Sequence, residues 1–136
     1  MCLSSVTKVH KKPVMKTFYK VFVNCGAYLR SLRGTTKSYL IGHTYKDRVC
    51  KREISSETIR GKQGKTYRRG FHGFITLKAA LSYQSKSGWL HEEVYKCEGL
   101  VRTEGRQSFN VDMGGGFHTY KAVVADTMTI IERVNP

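Results

Sequence analysis

Between Thr17 and Asn24 the side chains alternate: Phe18, Lys20 and Phe22 fall on one side, Tyr19, Val21 and Val23 on the other. A period of two in a β-prone run predicts a first strand over 17–24, ended by Gly26. Tyr28 to Thr36 admits a loop or one helical turn, since Leu29 and Leu32 stand three apart ahead of Gly34. Ser38 to His43 reads as a short strand bounded by Gly42. The polar stretch from Tyr45 to Lys65, with Gly61 and Gly64, predicts a long loop carrying a brief strand over 49–54. Thr66 to Phe74 places aromatics at 67, 71 and 74 and reads as a strand turning toward the core. The period then changes. Leu77, Ala80 and Leu81 stand at i, i+3 and i+4 behind Thr76, which predicts a helix over Leu77 to Tyr83 capped by that threonine. Extended runs follow over 91–102, 108–113, 120–125 and 128–132. These elements predict a single small α+β domain over 17–136, mostly antiparallel strands with one short helix. Residues 1–16 hold four Lys, His10 and Pro13 without a sustained period, and predict a flexible basic N-terminal arm.

Length and composition narrow the class. A chain of 136 residues, 40% hydrophobic, can close one core without a metal or disulfide. Eight Tyr, six Phe and one Trp argue against wholesale disorder. No apolar run approaches the roughly 20 residues needed to cross a bilayer, and no apolar leader follows Met1, so the expected location is cytoplasmic and no membrane partner is expected. Cys2, Cys25, Cys50 and Cys97 lie too far apart for zinc knuckles or a redox pair, and are expected as free thiols with no metal site and no cofactor.

Charge is the unusual quantity. Lys and Arg number 24 against 10 Asp and Glu, a net +14. Met1 to Leu40 carries eight cations and no acid, Ile41 to Gly70 nine against three, and the remainder seven of each. The whole excess lies in the first seventy residues, which predicts a basic face and an anionic partner. Within it, Tyr39, Tyr45 and Tyr67 sit among Lys37, Lys46, Arg48, Lys65, Arg68 and Arg69. Aromatic faces beside cations suit nucleic acid, because rings stack on bases while cations hold phosphates; they equally suit covering a small sheet.

Two further constellations carry chemistry. Gly70-Phe71-His72 and Gly116-Phe117-His118 repeat one pattern, each followed two positions after His by an aromatic. In extended chain, Phe71 and Gly73 would face one way and His72 and Phe74 the other. Were His72 and His118 to converge, one imidazole would accept a proton while the other donates, the arrangement of a nucleotide-processing enzyme. Cys2 would join a thiol to an α-amine if Met1 were removed, although a start codon followed by a small residue explains it as well. Walker, dinucleotide, zinc-protease and nucleophile-elbow motifs are missing, so a noncatalytic binding module is the leading expectation.

The chain resembles small uncharacterised accessory proteins of bacteriophages and related mobile elements. The resemblance rests on Met1-Cys2-Leu3, Tyr19-Lys20-Val21, Tyr39 to Gly42, Gly70-Phe71-His72 followed by Leu77 to Ala80, and Met128 to Glu132. It implies a host-interaction factor that binds nucleic acid or another polyanion, or alternatively an inhibitor that meets an acidic host protein or nucleoprotein. It transfers no catalytic residue.

Overall fold

Strands β1 (Ser5–Asn24) and β8 (Glu92–Asn110) run antiparallel for most of their lengths and form the spine of the molecule. The computed structural model describes residues 3–31, 37–46, 53–55, 66–68, 70–84, 91–110 and 117–134. Around the spine lie β2 (Leu29–Ser31), β3 (Ser38–Tyr39), β4 (Thr44–Lys46), β7 (Phe71–Phe74), β9 (Phe117–Ala125) and β10 (Thr127–Arg133). Strands β5 (Glu53–Ser55) and β6 (Thr66–Arg68) make a separate two-stranded ribbon. The helix α1 spans Leu77–Tyr83. The large sheet has the order β3-β2-β1-β7-β9-β8-β10-β4, and the additional β1–β8 pairing closes β1, β7, β9 and β8 into a ring. All its pairings are antiparallel, so the fold is the expected small α+β domain with one short helix.

Alternation on β1 divides the interior in two. Phe18 and Phe22 join Tyr39, Phe71, Cys97 and Ile130 in one cluster; Val21 joins Phe74, Val94, Val124 and the helix residues Ala79 and Ala80 in the other. Each large side chain removed from water contributes roughly 1.5–3 kcal/mol. Phe71 and Phe74 part to opposite clusters, as a period of two requires. Thr76 caps α1 by accepting from the Ala79 N–H at 3.2 Å, and the helix has the limits its periodicity predicts.

Three expectations about boundaries change. Residues 5–16, expected as part of a flexible arm, extend β1 and pair with β8 from Ser5↔Arg106 to Lys16↔Gly99. Their exposed lysines hide the strand from a periodicity test, because none of residues 5–17 is fully buried on either face. The runs expected over 91–102 and 108–113 are one strand, β8, as far as Asn110. Gly99 and Gly105 are not breaks: a Cβ would strike the Thr127 carbonyl at the first and the Ser5 carbonyl at the second, so glycine lets neighbouring backbone approach. Finally, the strand expected over 38–43 stops at Tyr39. The chain turns through Gly42, whose φ is 86°, and re-enters the sheet as β4 where a loop was expected.

Candidate nucleic-acid interface

The turn between β3 and β4 brings three of the expected site residues together. Tyr39 and Tyr45 meet edge to face with ring centroids 4.9 Å apart. The Lys37 ammonium lies over both rings, 5.7 Å from Tyr39 and 5.6 Å from Tyr45, within cation–π range. The Tyr45 hydroxyl accepts from the Leu40 N–H at 2.7 Å, which ties the ring to the turn. Tyr39 is only 4% exposed and packs against Phe22 and Phe71, so it serves as the floor and offers no open face to a base. Tyr45 is half-buried, and the exposed His43 ring stacks with it at a centroid distance of 6.5 Å with planes 28° apart. His43 is the residue missed in the sequence; the signal that could have found it is its place two positions before Tyr45, which in extended chain puts both rings on one face. Lys46 is exposed but follows Tyr45 by one position in β4, and so projects to the opposite face.

Tyr67 has a different place. It is 3% exposed, its hydroxyl accepts from the Leu3 N–H at 2.8 Å, and His72 Nε2 lies 3.3 Å from the same oxygen. A ring so enclosed cannot stack a base; it ties the start of the chain to the second cluster. Arg68 pairs in register with Glu53 in the β5–β6 ribbon. Arg48, Lys65 and Arg69 lie outside the described residues.

Lysines of β1 also lie along a register shift in its pairing with β8. Val9 pairs with Thr103 and Val14 with Val101, so the four residues 10–13 stand opposite Arg102 alone and the strand bows outward. Lys8, Lys11 and Lys12 are exposed there. Glu104 anchors the base of the bow: one carboxylate oxygen meets His10 Nε2 and the other the Lys16 ammonium at 3.0 Å. Burial acts to raise the Glu104 pKa, but the bonds from His10 and Lys16 outweigh it and hold the carboxyl below its ordinary value. Lysines, Pro13 and a bulge on a segment paired at one edge among the described residues also discourage another strand from adding there.

Lys20 points inward. Its ammonium donates to the His72 carbonyl at 2.8 Å and lies 5.8 Å from the Phe22 ring centroid. Burial lowers its pKa to about 8, against an opposing pull from Cys97. Desolvation in turn pushes the Cys97 thiol up to about 12, an inert state for a nucleophile.

The two histidines of the repeated pattern do not meet. His72 pairs with Val124 on β9, six residues along that strand from His118, a separation of about 20 Å at strand rise. His72 is buried beside Tyr67, whereas His118 is exposed and stacks on Tyr120. Among the described residues no three His, Cys, Asp or Glu side chains form a metal-holding group, and no helix is long and apolar enough to cross a membrane. Cys25 is exposed and Cys97 buried, both as free thiols; Cys2 and Cys50 lie outside the described residues. Comparison with protein families, with characterised proteins and with solved structures finds no match.

Proposed function

We propose that this protein binds nucleic acid, with Lys37 holding a phosphate and the exposed His43 ring, backed by Tyr45, receiving a base. The observation that carries the reading is the Lys37–Tyr45–His43 group, in which a cation and an exposed ring share one turn over a packed aromatic floor. Packing holds Tyr39 and Tyr45 in place before any ligand arrives, which reduces the ordering cost of stacking. Such contacts read backbone and base planes rather than base edges, so sequence preference is modest. An accessory role for a bacteriophage or mobile element belongs to the same proposal.

Fluorescence anisotropy on a short single-stranded RNA, titrated across salt, tests it. Lys37→Gln should reduce the logarithmic salt slope by about 0.7, the share of one single-strand phosphate. His43→Ala should weaken binding by about 1–3 kcal/mol, the range for one stacked base, with the slope unchanged. Absence of RNA and DNA binding at about 50 mM salt, where phosphate contacts are strong, would refute the proposal. An acidic protein that stays bound after nuclease digestion would move the same cations to the alternative reading.

A further inference from the structure

Two buried side-chain atoms have no hydrogen-bond partner among the described residues, Thr103 Oγ1 and Gln107 Oε1. Both belong to the run of β8 that pairs without a break against β9 from Thr103↔Val124 to Asn110↔Phe117, so Thr103, Gly105 and Gln107 alternate onto one face. Leu3 covers that face. A Cβ added at Gly105 would stand 3.0 Å from a Leu3 methyl and would strike the Ser5 carbonyl, so the fully buried leucine rests on a seat that only glycine leaves open. Thr103 and Gln107 flank the seat, about 7 Å along the strand on either side. Backbone bonds complete the contact: the Leu3 N–H donates to the Tyr67 hydroxyl, the Ser4 N–H donates to the Arg106 carbonyl at 2.8 Å, and Ser4 Oγ accepts from the Ser108 N–H at 2.9 Å.

Three features set residues 3–9 apart as a strap. The four residues 10–13, opposite Arg102 alone, separate its pairing from the rest of β1. Its own register slips between Val6 and Lys8. Both unpaired polar atoms lie on the segment of β8 beneath it, so lifting the strap admits water to groups whose burial costs free energy. Local opening draws on segments of this kind. The occupant also shows what the seat accepts: an extended backbone with an aliphatic side chain over Gly105 and a hydroxyl beside it. Every copy of the chain carries that segment. Tethering gives a chain's own strap an effective concentration in the millimolar range, so a second copy competes as the protein approaches about 1 mM.

We infer that residues 3–9 are an exchangeable strap, released at the 10–13 bow, which docks on the β8 seat of a second copy of this chain while that copy's strap docks in return. Reciprocal exchange closes a two-fold dimer. It does not rest on the nucleic-acid proposal. The test uses the full chain and an acetylated fluorescent peptide with the sequence of residues 3–9, which stands for the second copy's strap. The parent should take up the peptide only as its concentration nears about 1 mM. Leu3→Ser loosens the resident strap and should bind the peptide on the order of 10-fold more tightly, from burial of one leucine. Gly105→Val fills the seat and should abolish uptake, with circular dichroism checking that the sheet is kept. Thr103→Val removes an unpaired hydroxyl and should slow amide exchange at Leu3 and Ser4. Light scattering should show a dimer fraction in the parent that grows toward about 1 mM. A Leu3→Ser chain that takes up no peptide, or a folded Gly105→Val chain that takes it up as the parent does, would overturn the inference. So would a parent that stays monomeric at about 1 mM, or faster exchange at Leu3 in Thr103→Val, which would show that the hydroxyl is bonded.

Discussion

Replacing Tyr67 by Phe separates a packing role from a binding role with one oxygen atom. The ring is kept, so any stacking survives; the hydroxyl is lost, and with it the acceptor of the Leu3 N–H. Leu3 is fully buried and Tyr67 only 3% exposed. Leaving a buried donor without its partner costs about 1–3 kcal/mol. For a small domain whose stability falls by about 2 kcal/mol per molar urea, the unfolding midpoint should drop by roughly 0.5–1.5 M. Amide exchange at Leu3 should accelerate in the same variant, because that N–H loses its partner. RNA affinity, measured well below the new midpoint, should remain that of the parent. An unchanged midpoint would refute the placement of this hydroxyl against Leu3. A fall in RNA affinity at unchanged stability would return Tyr67 to the binding surface.

Two pH profiles follow from the charged groups. Glu104 has a folded pKa below its ordinary 4.5, so its contribution is present above that value and is lost as pH falls through the lower folded one. Urea midpoints across that range should fall more steeply for the parent than for Glu104→Gln, and parallel profiles would refute the His10–Glu104–Lys16 anchor. Lys20 is depressed from 10.5 to about 8, so the charged amine penalises the fold below pH 8 and the penalty is relieved as pH rises toward 10.5. The parent's midpoint should therefore rise across that window relative to Lys20→Met, and a constant difference between the two would show that the Lys20 amine is not buried.

The exposed lysines of β1 illustrate how charge can be legible while structure is not. A run of cations without acids is plain in residues 1–40, yet the same run obscures the strand that carries it. A strand segment with neither face packed on the core needs no apolar alternation, and residues 5–17 of β1 contain no fully buried position. The candidate site divides in the same way. Lys37, Tyr39 and Tyr45 are close in sequence and come together across a turn, whereas Tyr67 lies in equally basic surroundings and is buried in the cluster that holds Leu3. Local composition cannot tell the half-buried Tyr45 from the buried Tyr67, since burial depends on which distant segment covers each ring.

Sequence by itself determined whatever a short window encodes. The helix Leu77–Tyr83 with its Thr76 cap is such a case, because i, i+3 and i+4 contacts and a capping hydroxyl lie within two turns. The opposite facings of Phe18 and Val21, and of Phe71 and Phe74, follow from the pleat alone. Tertiary structure decided the extent of β1 and the continuity of β8 through Gly99 and Gly105. It also decided that His72 and His118 stay apart. These depend on strand register between segments far apart in the chain. Register is chosen by the joint packing of both clusters, a quantity that no local window contains.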